Sequence, residues 1–303
     1  GARMRIDRRH TRLSLLAVAL IFLAGCTTYP SRGTPPPPEP LDKATLELPE
    51  DQLLDVTIER FEPGSLPEDE EQARGLSPEI RDAESRYLPL QLRATLESTG
   101  YWGAVRMLPE ANPGTELLVQ GRILASDGES LKLQIQASDA TGRQWFDRSY
   151  DGWVDLAQYQ GAAEGDAFYA LYNAIANDLA SYRAGLSAEQ LLEIRRVAEL
   201  RFAADMAPDV FEPYLQSTPV GGHRPRRLPA EDDPMYRRIQ TIRARDALLV
   251  DTLNGHFDNF YLEMQQPYED WRRSRLEEID NVRELESQAN QRKLLGAAAI
   301  VGA

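Results

Sequence analysis

Residues 117–150 read LLVQGRILASDGESLKLQIQASDATGRQWFDRSY. Three runs with alternating apolar and polar positions, Leu117 to Ala125, Leu131 to Ala137 and Gln144 to Tyr150, are separated by Asp127-Gly128 and Thr141-Gly142. Alternation with period two marks a strand buried on one face, and a glycine between two such runs supplies the positive φ of a hairpin turn. The stretch is therefore expected to form an antiparallel meander.

Toward the N-terminus, Val105-Arg106-Met107-Leu108 makes a further short strand. Ser77-Pro78-Glu79 is a helix start, with a hydroxyl N-cap, proline at the first helical position and acid in the first turn. Leu88, Leu92 and Leu96 recur at spacing four, and Gly100 closes that helix. Leu54, Val56 and Ile58 alternate with polar neighbours in a first strand that ends at Phe61, before a loop whose acid run, Glu68 to Glu71, reads as solvated. The expected fold class is α+β: a small antiparallel meander sheet with one flanking helix over residues 53–152, followed by a helical region with a long kinked arm.

Residues 153–230 read as a helical pair and a loop. Phe168, Leu171, Ile175 and Leu179 form one stripe closed by Gly185, and Ser187 with Gln190 is a capping box for the next helix, striped by Leu191, Ile194, Val197 and Leu200. Asp233-Pro234 opens the arm, residues 231–303. Met235, Ile239, Ile242, Leu249, Leu253, Phe257, Phe260 and Met264 step by three, four or seven, and Trp271, Ile279, Val282 and Leu285 continue the seam beyond Pro267. One proline without a polar run is a poor turn, so the expectation is a kink in an arm of roughly 80 Å. Such a seam holds more apolar surface than an isolated helix exposes, so Leu253 and Phe260 are expected to meet the earlier helix pair, a second copy or a partner. The tail from Gly296 to Ala303 is small and apolar and too short to cross a bilayer; it reads either as the opening of a close-packing segment cut short or as a sticky tail that docks on something.

At the other end, Arg3, Arg5, Arg8, Arg9 and Arg12 face one acid, Asp7, and the run from Leu13 to Gly25 is apolar except for Ser14. A basic segment before an apolar run of that length is a secretory signal rather than a membrane span. The run closes in Leu23-Ala24-Gly25-Cys26, and Cys26 is the chain's one cysteine. This order resembles the lipobox of bacterial lipoproteins. The resemblance implies a signal peptide over residues 1–25, acylation of Cys26 and, because Thr27 rather than Asp follows, residence in the outer membrane with the body facing the periplasm. Residues 26–52 carry Pro30, Pro35 to Pro38, Pro40 and Pro49 and are expected to be a lipidated, extended tether. The 303 residues hold 34 Lys and Arg against 48 Asp and Glu, a charge of −14; loss of five arginines and Asp7 with the signal leaves 29 against 47, or −18.

The segment from Leu88 to Gly100 with Trp102, then Leu117-Leu118-Val119-Gln120-Gly121 and the two hairpin turns, resembles the strand-helix-meander unit of envelope auxiliary and activator lipoproteins. That family includes the curli secretion channel lipoprotein, whose channel-building segments have no counterpart here. The resemblance is one of element order over about 100 residues, and a shared fold does not by itself transfer function.

The acidic balance disfavours a nucleic-acid partner, and one cysteine with three scattered histidines excludes a disulfide and a Cys/His zinc framework. No metal and no cofactor are expected. No G-x-S-x-G, Walker A, H-E-x-x-H or dinucleotide fingerprint occurs. Glu84-Ser85 matches the helical Glu-Ser pair of lytic transglycosylases, but Tyr87-Leu88-Pro89 follows and that family's Gly-Leu-Met-Gln segment is missing. His256 reads as a surface or seam residue, and His223 lies in a loop of glycines and arginines. Arg224, Arg226 and Arg227 precede Glu231, Asp232 and Asp233; local pairing is expected before docking of an anionic glycan or an acidic partner patch. The resulting expectation is a non-catalytic periplasmic scaffold or accessory subunit, held to the outer membrane by its lipid and bound to an envelope protein or to itself through the arm. A peptidoglycan-acting enzyme or its activator, and a lipid-transport auxiliary subunit, are the alternatives.

Overall fold

The computed structural model describes residues 39–68, 73–161, 165–219 and 221–301, with side chains on the last helix as far as residue 293. The signal segment, the lipobox with Cys26, the Pro35 to Pro38 run, most of the acid run and the side chains of the small-residue tail lie outside them.

Local signals place the first elements. Ser77 Oγ accepts the N–H of Ile80 at 3.2 Å, and Pro78 opens α1 (Pro78–Glu97). Gly100, at φ 75°, turns the chain out of α1. Before it lies β1 (Leu54–Glu59), and after it come β2 (Trp102–Leu108), β3 (Leu117–Ser126), β4 (Ser130–Asp139) and β5 (Gln144–Trp153). Gly128 and Gly142 take φ of 93° and 83° at the two expected hairpin turns.

The strands assemble as α+β, but the sheet is mixed and its order is β2-β1-β3-β4-β5. This corrects the simple antiparallel meander, which holds for β3 to β5 only. β1 pairs in parallel with both β2 and β3. Crossover through α1 forces β2 to run parallel to β1, and loop 109–116 then carries the chain past β1 to its other side. Leu54, Val56 and Ile58 are buried with Thr57 between them, as suits a central strand covered by neighbours.

A second correction concerns the single flanking helix, since further helices join α1 in the core. After a short α2 (Leu156–Gly161), α3 (Tyr169–Ala184) brings Leu171, Ile175 and Leu179 into the same cluster as Leu88, Leu92 and Leu96 of α1. Gly152 of β5 lies so close to α3 that an added Cβ would stand 3.2 Å from Leu171. α4 (Ala188–Met206) begins with the expected capping box of Ser187 and Gln190 and adds Leu191, Ile194 and Val197 to this core. Each such side chain, fully buried, contributes on the order of 1.5–3 kcal/mol.

Then follow a helical turn, α5 (Pro208–Phe211), and a two-stranded hairpin of β6 (Leu215–Ser217) and β7 (His223–Pro225) where a plain loop was expected. The last element, α6, is one helix over Pro234–Val301, about 100 Å at 1.5 Å per residue. Pro267 stands inside it and does not end it. Tyr261 and Met264 before the proline and Tyr268 and Leu276 after it pack on the main core, which holds both sides of the missing backbone bond in place. Residues 53–152 therefore share one core with the helices that follow.

The stretch expected as a tether to residue 52 is fastened to the body from Glu39 on. Asn177 Oδ1 accepts the N–H of Asp42 at 2.8 Å, while Asn177 and Asn173 donate to the carbonyls of Pro40 and Glu39.

Candidate functional site

α6 is held along the body by a ladder of polar contacts. Arg243 reaches Glu116 and Glu199 at 3.4 and 3.5 Å, and Arg106 of β2 pairs with Asp251 at 2.6 Å. Asn254 bonds the β2 backbone at Met107, Arg93 of α1 meets Asp258 at 2.8 Å, and Tyr261 donates to Gln91. Tyr268 donates to Glu84 at 2.6 Å, and Arg283 makes a two-pronged contact with Glu129 at 2.6 and 2.9 Å. Sequence reasoning placed the buried line of α6 on the apolar seam, and the structure moves it. The line that faces the body is Asn254, Tyr261, Tyr268 and Arg275, one residue every seven, with Val250, Arg272 and Leu276 beside it. A search for apolar residues passes over that heptad because its members are amide, phenol and guanidinium.

The expected seam splits accordingly. Phe260 is turned to the body, packed on the main core with the Arg86 guanidinium 5.3 Å from its ring centre. Its expected place on a partner surface is corrected to an internal contact. Leu253 is exposed, in line with Ile242 and Leu249, and Leu248, Leu262 and Leu285 are also exposed. Seven of the 13 exposed large apolar side chains among the described residues lie on α6.

The three arginines expected to pair with neighbouring acids do not. Among the described residues no ion pair joins Arg224, Arg226 or Arg227 to Glu231, Asp232 or Asp233; all three side chains are exposed, and Arg227 lies over the Tyr214 ring at 4.3 Å. The hairpin accounts for the difference: β7 pairs with β6, and the Arg226 N–H donates to the Tyr214 carbonyl, which ties this stretch to β6 and the residue just before it instead of to residues 231–233.

A cleft of about 260 Å³ opens between β1, β2, loop 109–116, α4 and α6, with Asp55, Arg106, Glu116, Arg195, Gln240 and Arg243 on its walls. Burial, then the like charge of Asp55, holds the Glu116 carboxyl above its ordinary value, against the Asp55 N–H it accepts at 2.8 Å and the Arg243 guanidinium. The walls are charged and largely paired with one another.

Glu84, the sequence candidate for an acid catalyst, is 1% exposed. Its Oε1 accepts from Ser126 and Tyr268, Arg81 lies 3.2 Å from its Oε2, and burial pushes its carboxyl above the ordinary range. Beside it Arg272 of α6, fully buried, donates to Asp166 at 2.8 Å and lies against the rings of Phe168 and Tyr268 at 4.9 and 4.0 Å. The cluster is a packed joint between α6 and the sheet. His256 is exposed on α6, and His223 is half-buried on β7. Among the described residues no group of His, Cys, Asp and Glu is placed to hold a metal ion, and no helix is long and apolar enough to cross a membrane.

No protein-family model matches this chain, and no curated protein matches it.

Proposed function

We propose that the protein is a non-catalytic, lipid-anchored accessory protein of the bacterial outer membrane, whose α6 is a braced docking rail for other envelope components. The observation that carries this reading is the division of α6 into two faces. One is bound to the body from Ile239 to Arg283, and the other exposes Ile242, Leu248, Leu249, Leu253, Leu262 and Leu285. A helix fixed along one side presents its free side at little cost in ordering, which favours association. The lipobox-like Leu23-Ala24-Gly25-Cys26 supports the anchor and the compartment. A peptidoglycan-cleaving role draws no support from Glu84, which is sealed in the joint, and the charged cleft beside α6 lends none to lipid carriage.

Two measurements in intact cells test the reading. Cys26→Ser is expected to leave an unprocessed precursor. Photo-crosslinkers at positions 249 and 285 are expected to trap one defined envelope protein or a second copy, with none trapped from position 272 inside the joint. Normal processing of Cys26→Ser removes the anchor. A sedimenting monomer with no crosslinks from 249 or 285 removes the docking rail.

A further inference from the structure

Arg201 of α4 stands apart from the other arginines near the sheet. It is half-buried, and burial alone holds its guanidinium below the usual value, with no carboxylate offsetting that cost. Its Nη1 donates to the Ala140 carbonyl at 3.2 Å, and among the described residues its other nitrogens have no protein partner. Arg201 and Pro113 line two adjoining, open surface hollows.

The second hollow also holds His223. The β4–β5 turn brings the two residues together: Arg201 bonds the carbonyl of Ala140, and the His223 backbone N–H bonds the next carbonyl, Thr141, at 2.8 Å. The approach is close, because a Cβ on Gly222 would stand 2.2 Å from the Thr141 oxygen. Burial, and then the charge of Arg201, holds the His223 imidazole below its ordinary value. Asp205 and Glu212 line the same hollow, and Glu59, Glu110 and Asp139 line the adjoining one, yet among the described residues none of them forms an ion pair with Arg201 or offsets it at the imidazole. Arg224 and Arg226 stand exposed on the same hairpin without ion pairs among the described residues. In a chain with a charge of −14, Arg201, Arg224 and Arg226 are thus guanidinium groups without an ion pair among the described residues, although acids line the hollows beside Arg201.

We propose that Arg201 and His223 form an anion-binding site that takes a carboxylate or phosphate group, with Arg201 supplying the paired N–H donors and His223 closing the site. A guanidinium with free donors matches the planar oxygens of such a group. The site is separate from the α6 rail and does not depend on the accessory reading.

His223 and His256 are the two histidines after the signal segment and serve as reporter and control. Their ring protons are followed by NMR against pH in the soluble body, residues 27–295, in chloride and then in about 50 mM inorganic phosphate or acetate at matched ionic strength, a concentration suited to millimolar affinity. His223 is expected to titrate below the ordinary histidine value in chloride and to shift upward with the anion, while His256 stays in place. A shift with phosphate alone assigns a phosphate ligand, and a shift with acetate also assigns a carboxylate. Arg201→Gln is expected to abolish the response and Arg201→Lys to keep a weaker one, each with an unchanged thermal midpoint. No His223 shift with either anion, an equal shift at His256, or a full response in Arg201→Gln overturns the proposal. If Arg201→Gln unfolds the hairpin, the chloride-to-phosphate comparison in the unmodified protein decides alone.

Discussion

Asn254 of α6 pairs with Met107 of β2 as a strand residue would: its Oδ1 accepts the Met107 N–H at 2.8 Å and its Nδ2 donates to the Met107 carbonyl at 3.1 Å. β2 is an edge strand, and an uncovered edge invites pairing with other chains. One side chain thus occupies the edge at Met107 and ties α6 to the sheet there. Asn254→Leu keeps a similar volume but leaves both Met107 groups without partners. It is expected to cost about 2–4 kcal/mol, from two buried polar groups at about 1–3 kcal/mol each with partial relief by water. Denaturant unfolding measures the loss, and an unchanged midpoint would show that α6 does not guard the edge.

Arg272 and Asp166 form the deepest ion pair of the joint, with side chains 0% and 1% exposed. Removing one partner strands the other charge, so Asp166→Asn or Arg272→Met alone is expected to destabilise by about 3–5 kcal/mol. The double variant should recover a good part of that loss. Losses that simply add would mean that the two residues act independently.

Glu116 links stability to pH. Its carboxyl is held above the ordinary value by burial, with Asp55 adding to the effect. As pH rises past the ordinary carboxylate value, the unfolded chain releases this proton before the folded one does, so the folded state loses stability until the raised value is passed. Glu116→Gln lacks that loss. Its unfolding free energy relative to the unmodified protein should therefore grow from about pH 4 upward and level off above the raised value. Urea titrations across that range check the sign, and a difference that shrinks with pH would place Glu116 among ordinary paired carboxylates.

Gly222 seats the β6–β7 hairpin against the Thr141 turn. An added methyl meets backbone oxygen rather than a movable side chain, so Gly222→Ala is expected to lift the hairpin at a cost of about 1–3 kcal/mol. Hydrogen exchange should quicken at the His223 amide, which bonds Thr141, and stay unchanged in β3 and β4. An unaffected His223 amide would mean that the hairpin is seated by other contacts.

The outer face of α6 should behave unlike the inner one. Leu248→Glu with Leu249→Glu is expected to leave stability within about 0.5 kcal/mol, as exposed positions do, and to abolish crosslinks from position 285 by losing the rail. Phe260→Glu should lower the unfolding midpoint by loosening the core contact. The reverse ranking of the two variants would exchange the faces.

Elements carrying local chemistry were legible before the fold was known. Ser77-Pro78, the Ser187–Gln190 box and the glycines at 128 and 142 each act within a few residues, and each lies where expected. The place of β1 was not legible, because no residue within Leu54 to Glu59 records that its partners are Val105 and Leu117. Of the candidate sites, sequence singles out Leu253 and the three hairpin arginines, the arginines as partners of the neighbouring acids, but not Arg201, Arg272 and Asn254. Their roles arise from contacts that span 61 to 147 residues of chain, and a lone arginine or asparagine in a helix resembles a solvated one until its neighbours are placed.

The clasp of Asn173 and Asn177 around Glu39 to Asp42 has a mechanical meaning. Tension entering from the N-terminal side meets three exposed hydrogen bonds that open one after another, each dissipating a little work. The Ala44 N–H bond to the Thr99 carbonyl and the bonds of Arg195 and Arg183 to the Glu50 and Gln52 carbonyls come next; beyond them load reaches β1, and there the geometry changes. β1 has a parallel neighbour on each side, so its bonds are strained together in shear instead of being peeled singly. The body is thus built to yield first at a replaceable catch and to resist at the strand that, once drawn out, would undo the sheet.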